Sequence, residues 1–202
     1  MNRHIYLIGY RGSGKTSVGR MLAAMLQWPA ADSDAWVEQH SDSTIREIFH
    51  TQGEDGFREL EIKAIETLSQ SSHPSVLSLG GGAILRKENV LRIRESGWIV
   101  WLKASPENLD SRILADLMTA DRRPALTNLV GRKEIQNVLA IRSPIYASVA
   151  NISVDTDDRS TKDIAEEIYR IYQSEKLSLH LTGESQPVSS CSTYPKTPKA
   201  TS

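Results

Sequence analysis

The sequence predicts a three-layer α/β domain, in which helices cover both faces of a five-stranded parallel sheet. Short apolar runs alternate with segments of helical periodicity along most of the 202 residues, which is typical of repeated strand–helix–strand units. Several of these runs are almost wholly apolar, as expected of parallel strands buried on both faces. A glycine-rich segment joins the first apolar run to the first helical pattern, so a ligand site is expected at the carboxyl edge of the sheet.

The elements follow one another along the chain in that alternating order. Strands are predicted at Ile5–Ile8, Ala30–Ala31, Ser75–Leu79, Trp98–Leu102 and Ile152–Val154. Helices are predicted to begin near Lys15, Ser43, Glu54, Lys87, Pro106, Arg132 and Thr161. The last helix has a capping hydroxyl at Ser160 or Thr161 and acidic residues early on. Residues 119–131 lack periodicity and carry two arginines, a proline and a glycine, which indicates a mobile lid within about residues 112–131.

Composition narrows the class of protein. Apolar residues make up 39% of the chain, charged residues make up 24%, and the formal net charge is -1, so no basic surface suggests nucleic acid. No apolar run is long enough to cross a bilayer, and the single Cys191 cannot form an internal disulfide. A cytoplasmic monomer with a small-molecule partner is therefore expected. Residues 1–176 are predicted to fold, and the Ser-, Thr- and Pro-rich residues 177–202 are predicted to form a disordered tail.

Residues 9–16, "GYRGSGKT", match the phosphate-binding pattern G-x-x-x-x-G-K-[ST]. Glycines let the backbone turn so that its amides face an anion at the start of a helix. Lys15 supplies a cation for the β- and γ-phosphates of a nucleotide, and the Thr16 hydroxyl suits a Mg²⁺ ion. The motif stands between a predicted strand and a predicted helix, as nucleotide binding requires, so ATP and Mg²⁺ are expected here.

Two carboxylates, Asp32 and Asp34, follow the second predicted strand in "AADSD". At the end of a strand they would face the phosphate site. Asp32 could hold a metal-bound water, and Asp34 could accept a hydrogen bond from an attacking hydroxyl and take its proton. The alternative is that the pair only caps the helix "DAWVEQH".

The segment "GEDGFRELE" places Arg58 three residues before Glu61, so that on a helix the carboxylate could hold the guanidinium in place. A guanidinium held in this way presents a two-pronged donor to a ligand carboxylate. The alternative is an exposed surface arginine. Gly80, Gly81 and Gly82 end the third strand, where a Walker-type acid is common, and they permit close backbone approach to a ligand.

Two further arginines complete the candidate set. Arg123 precedes Pro124 in the predicted lid, where a cation can neutralise a migrating phosphoryl group while closure excludes water. Arg122 could take the same role, although the neighbouring proline favours Arg123. Arg142 stands in "IRSPIY". Taken alone, Arg123 or Arg142 could be a solvated surface charge.

Taken together, these motifs resemble the shikimate kinase family from about residue 4 to residue 173. The phosphate loop is shared by many families, whereas "GEDGFRELE" followed by "GGG", "RRPAL" and "RSPIY" is far more specific. The resemblance implies a P-loop kinase fold with a helical substrate-binding segment at about residues 33–62. It also implies ATP- and Mg²⁺-dependent phosphorylation of the 3-hydroxyl of shikimate, in the route to chorismate and the aromatic amino acids.

The resemblance also implies a role for each matching residue. Asp34 would bind the shikimate hydroxyls, Arg58 and Arg142 its carboxylate, and the Gly80, Gly81 and Gly82 amides a further hydroxyl. Arg123 would act from the lid and Arg159 on the adenine side, while Thr16 and Asp32 would serve the metal. The nucleotide phosphates would be wrapped by Gly12, Ser13, Gly14, Lys15, Thr16 and Ser17. "RPAL" departs from the commoner "RPLL", and the stretch before the lid is a few residues longer than is typical.

Rival interpretations differ in the acceptor. Gluconate kinase or another small-molecule kinase of the same fold would share the phosphate loop, but "GEDGFRELE" with "GGG" is not expected there. Adenylate kinase would need a longer lid and an AMP site. A nucleotide-binding regulator without activity should lack part of the acceptor set, yet Asp34, Arg58 and Arg142 are all present.

Overall fold

The computed structural model describes residues 4–115 and 131–182. The strands are β1 His4–Ile8, β2 Ala30–Asp32, β3 Val76–Ser78, β4 Gly97–Lys103 and β5 Ile152–Asp155. The helices are α1 Lys15–Leu26, α2 Ser33–Ser41, α3 Ile45–Ser69, α4 Lys87–Ser96, α5 Pro106–Ala115, α6 Arg132–Val149 and α7 Thr161–Thr182, with a 3₁₀ turn at Ala83–Leu85. Strands and helices therefore alternate nearly as the sequence predicts.

The five strands form one parallel sheet in the order β2-β3-β1-β4-β5, which confirms the predicted sheet. β1 is central: its Tyr6 is aligned with Leu77 of β3 on one side and with Ile99 of β4 on the other. The loop that follows β1 consequently opens at the middle of the carboxyl edge. This edge is where ligands bind in open parallel sheets.

Alternate residues of β1 serve two separate cores, because successive side chains of a strand point to opposite faces. Ile5 and Leu7 pack in one core, with residues of α1 and α7. Tyr6 and Ile8 pack in the other, with residues of α3, α4 and α6. The predicted three-layer arrangement is thereby confirmed, and both cores hold the carboxyl edge of the sheet rigidly in place.

A third apolar cluster joins α2 to α3 around Val37, Ile48 and Phe57. The sequence predicts helix starts at Ser43 and Glu54. The structure has helix from Ile45 and again after Gly53, whose φ of 71° and ψ of −173° place a kink between the two segments of α3, so helix begins close to both predicted starts. Thr44 caps the first segment, and the side chain of Glu47 closes a capping box. Residues 33–62, the predicted helical substrate-binding segment, include α2 and most of α3, which this cluster packs together directly after β2.

Helix α7 begins where predicted, with the Ser160 hydroxyl accepting from the Asp163 amide at 3.1 Å. It continues to Thr182, beyond residue 176, after which the predicted tail begins. Within the predicted part of this helix, the ring of Tyr172 lies edge-on to Trp28 at 5.6 Å and packs α7 against the domain. Residues 183–202 of the predicted tail lie outside the described residues. So do residues 116–130, which hold most of the predicted lid and Arg123.

Candidate active site

The phosphate loop has the backbone that the sequence predicts. Gly9, Gly12 and Gly14 have φ of 145°, 79° and 90°, a region that side chains disfavour. A Cβ on Gly9 would also lie 2.5 Å from the Leu102 carbonyl oxygen of β4. Gly14 caps α1, so the first amides of that helix face the loop. This arrangement makes a cradle for an anion at a helix N-terminus.

Lys15, predicted to meet the nucleotide phosphates, is almost wholly buried within the loop. Its Nζ donates to the carbonyl oxygens of Gly9 at 2.9 Å and Tyr10 at 2.8 Å. The ammonium is thus held against the backbone that surrounds the cradle.

Asp32 caps a helix and also contacts Thr16, the other predicted metal-binding residue. Its Oδ1 accepts from the Asp34 amide at 3.0 Å and so caps α2, while its Oδ2 accepts from the Thr16 hydroxyl at 2.7 Å. Within residues 4–115 and 131–182, no group of three His, Cys, Asp or Glu side chains could hold a metal without other ligands. Mg²⁺ ordinarily binds one or two protein oxygens and completes its coordination with phosphates and water. The Thr16–Asp32 pair therefore fits a Mg²⁺ ion that arrives with a nucleotide.

Two adjoining pockets contain the predicted site residues. The phosphate pocket is lined by Gly12, Gly14, Lys15, Thr16, Ser17, Asp32 and Asp34. The acceptor pocket is lined by Asp34, Arg58, Gly80, Gly81, Gly82 and Arg142. Asp34 belongs to both, so the structure brings the predicted acceptor residues together beside the phosphate loop. Ser13, a residue of the phosphate loop, is buried and lines neither pocket.

Arg58 is buried at 5% exposure, so the interpretation as an exposed surface residue is wrong. Its Nη1 donates to Glu61 Oε2 at 2.8 Å, which confirms the predicted i,i+3 pair. Its Nη2 donates to Glu54 Oε1 at 3.0 Å. Burial opposes the charge, but Glu61 and Glu54 outweigh it and raise the pKa of Arg58. Complete burial in turn raises the pKa of Glu61, against the pull of Arg58.

The three glycines at the end of β3 let charged side chains approach the backbone closely. A Cβ on Gly80 would lie 2.5 Å from Glu61 Oε1 and 2.7 Å from Asp34 Oδ1, and a Cβ on Gly82 would collide with the Arg58 guanidinium. The Gly80 amide, expected to meet a ligand hydroxyl, donates to Ser33 Oγ at 2.9 Å instead. The glycine run therefore shapes the pocket mainly by admitting acceptor-binding side chains.

The predicted arginines lie in different surroundings. Arg142 is buried on α6 and donates from Nη1 to the Gly81 carbonyl at 3.2 Å, which fixes it in the acceptor pocket. Arg159 lies after β5 and is held by its own loop: Nη1 donates to the Asp155 carbonyl at 3.0 Å, and Nη2 pairs with Glu167 at 2.6 Å. It lines neither of the two pockets.

Sequence reasoning missed several residues that line these pockets. Arg112 lines the phosphate pocket, and its Nη1 donates to the Thr156 hydroxyl at 3.0 Å. Arg11 lines both pockets from a variable position of the phosphate-loop pattern. The neighbouring rings of Phe49 and Phe57 line the acceptor pocket. A sequence shows the type of residue at each of these positions, but only the tertiary fold brings them to the site.

Comparisons with known proteins identify the family. A model of shikimate kinase matches residues 11–173. The chain belongs to the shikimate kinase family. It is 40% identical over 168 residues to the shikimate kinase of Rhodopirellula baltica, covering 83% of this chain and 89% of that protein. It is 38% identical over 186 residues to that of Syntrophus aciditrophicus, covering 88% and 95%.

Solved structures agree with this membership. The shikimate kinase of Acinetobacter baumannii in complex with shikimate is similar with a TM-score of 0.81 and 34% identity, over 87% of this chain and 95% of that one. A gluconokinase from Sinorhizobium meliloti is similar with a TM-score of 0.61 and 20% identity, over 91% and 98%. The second likeness shows the shared fold alone. The P-loop kinase fold and the family expected from the motifs are both confirmed.

Proposed function

We propose that this enzyme transfers the γ-phosphoryl group of ATP to the 3-hydroxyl of shikimate, giving shikimate 3-phosphate and ADP. One observation carries the proposal: two buried arginines, Arg58 and Arg142, share a pocket with Asp34, which also lines the phosphate pocket. A cyclic hydroxy acid needs a cationic anchor for its carboxylate and an oxygen acceptor for its reacting hydroxyl. This pocket supplies both, and the reacting hydroxyl would lie nearest the phosphate donor.

The transfer step follows from this arrangement. The 3-hydroxyl oxygen bonds to the γ-phosphorus, and the bond from that phosphorus to the β–γ bridging oxygen breaks, so ADP leaves with the electron pair. Asp34 accepts the hydrogen bond of the hydroxyl, takes its proton late in the step and passes it to solvent. Lys15 and the loop amides offset the phosphate charge. Thr16 and Asp32 would hold Mg²⁺, which neutralises the β- and γ-phosphates when bound.

The remaining predicted residues keep supporting roles in the proposal. Gly12 to Ser17 wrap the phosphates, and Gly80 to Gly82 give the acceptor pocket its shape. Arg123 would add a cation from the lid. Arg159 would act on the adenine side through the loop that it holds, since its guanidinium already binds Asp155 and Glu167. No helix among residues 4–115 and 131–182 meets the length and apolarity that a bilayer span requires. A cytoplasmic monomer remains part of the proposal.

Gluconate is the alternative acceptor, because it too carries a carboxylate and hydroxyls. The family model and the named relatives favour shikimate. A panel assay decides between them: the protein is mixed with ATP, with and without Mg²⁺, and with shikimate, gluconate or AMP, and ADP release is followed. We expect Mg²⁺-dependent release with shikimate alone. Release with gluconate or AMP and none with shikimate would refute the proposal.

A further inference from the structure

Arg11 lies where the acceptor and phosphate pockets meet. Among the residues that the structure describes, only Arg11, Asp34 and Ile45 line both pockets. Ile45 is apolar, and Asp34 is the proposed acceptor of the hydroxyl hydrogen bond. Of this shared set, Arg11 is therefore the member with a positive charge at the point where a phosphoryl group would pass from donor to acceptor.

The guanidinium of Arg11 is incompletely coordinated. Its Nε is buried and has no hydrogen-bond partner in the part of the chain that is described, and its Nη2 lies 3.7 Å from Glu134 Oε1, beyond hydrogen-bond distance. Arg58, by contrast, donates to two carboxylates at 3.0 Å or less. A buried N–H group without a partner is costly, and such groups are commonly retained where a ligand completes them.

The neighbours of Arg11 hold it in place without competing for an anion. The Tyr10 ring lies beside it, with the guanidinium carbon of Arg11 5.9 Å from the centre of that ring. Glu134 is buried on α6, the helix that also carries Arg142 into the acceptor pocket. The backbone is close-packed as well, because a Cβ on Gly81 would lie 3.3 Å from the Gly9 carbonyl oxygen and 3.6 Å from the Arg11 amide nitrogen. The position of Arg11 between the pockets is thus fixed by the phosphate loop, by the glycine run at Gly80–Gly82 and by α6.

We propose that Arg11 is a catalytic residue that contacts the transferring phosphoryl group from the acceptor side, and that Glu134 positions it. In a loose transition state, negative charge spreads over the three equatorial oxygens of that group. A planar guanidinium can donate to two such oxygens at once, which an ammonium cannot match. The inference rests on the proposed function. It adds a second cation of the phosphate loop, besides Lys15, at the site of transfer. This cation is separate from the expected lid arginine.

The test compares Arg11→Met and Arg11→Lys with the wild type. Met keeps most of the length of the side chain and removes the charge. Lys keeps the charge and loses the fork. The matched control is Arg170→Met, which changes an exposed arginine on α7 whose Nε bonds within its own helix. Steady-state kinetics with ATP and shikimate give kcat and both KM values, thermal melts report folding, and binding of ADP with aluminium fluoride and shikimate reports affinity for a transition-state mimic.

We expect Arg11→Met to lower kcat by about 10²-fold, the range seen when one preorganised donor is lost. Both KM values should stay within about threefold, and affinity for the aluminium fluoride complex should fall with kcat. Arg11→Lys should recover part of the loss, and Arg170→Met should match the wild type. A kcat within threefold of wild type in Arg11→Met, or a loss confined to the shikimate KM, would overturn the inference. Failure of the wild type to phosphorylate shikimate would instead refute the proposed function.

Discussion

Replacing Arg58 by lysine tests the acceptor pocket most sharply, because the change keeps the charge and removes the fork. Arg58 makes hydrogen bonds to Glu61 at 2.8 Å and to Glu54 at 3.0 Å and 3.3 Å. The ammonium of lysine is a compact charge without the guanidinium fork. It cannot hydrogen-bond to both Glu61 and Glu54 and also to a ligand carboxylate. One lost hydrogen bond to a charged group costs about 1.5–3 kcal/mol. At about 1.4 kcal/mol per tenfold, the shikimate KM should rise roughly 10- to 100-fold.

Steady-state kinetics with each substrate varied in turn measure this effect. The KM for ATP should stay unchanged, because Arg58 does not line the phosphate pocket. Arg86→Lys is the matched control: Arg86 pairs with Asp55 at the same 3.0 Å, but this pair is solvent-exposed and lies outside both pockets. An unchanged shikimate KM in Arg58→Lys, or an equal rise in the KM for ATP, would refute the reasoning.

Three further predictions follow from individual groups. Asp34→Asn should lower kcat by about 10²–10⁴-fold while ATP binding by calorimetry persists, and near-normal turnover would remove Asp34 from the step. Lys15→Ala should abolish ADP formation, and retained activity would contradict the assignment of the phosphate loop. Hydrogen bonds from Thr44 lower the pKa of Glu47, so its stabilising effect exists above the unfolded value of 4.5 and disappears as pH falls through the lower folded value. The gap in melting temperature between wild type and Glu47→Gln should therefore close in acid; a constant gap would contradict the capping role.

Much of the fold could be predicted because local pattern and tertiary environment agree. The apolar run of β1 predicts a strand covered on both faces, and Ile5 and Tyr6 do pack in opposite cores. The two helices predicted from Ser43 and Glu54 correspond to the two segments of α3, because Gly53 takes a positive φ that breaks the helical geometry between them. The extension of α7 to Thr182 could not be predicted, because residues 177–202 have a Ser-, Thr- and Pro-rich composition typical of disorder.

Some features of the candidate site were also predictable from the sequence, and others were not. The pair of Arg58 and Glu61 was predictable because both residues stand on one helix at a spacing of three. Glu54, four residues before Arg58, follows the same spacing rule, whereas the position of Arg11 between the pockets depends on which groups the folded chain brings together. Likewise, only the fold shows that the Gly80 amide is used by Ser33 and that Arg159 is held by its own loop. Local chemistry can be read from spacing, whereas competition for hydrogen-bond partners cannot.

The central claim is that donor and acceptor meet in one crevice, which the phosphate loop bounds on one side and Arg58 and Arg142 on the other. A crystal structure of the protein with ADP, Mg²⁺ and shikimate tests this most directly. We predict the shikimate carboxylate on Arg58 and Arg142, its 3-hydroxyl on Asp34, and the nucleotide phosphates on the loop around Lys15. Shikimate bound elsewhere, or with its carboxylate turned away from both arginines, would contradict the account.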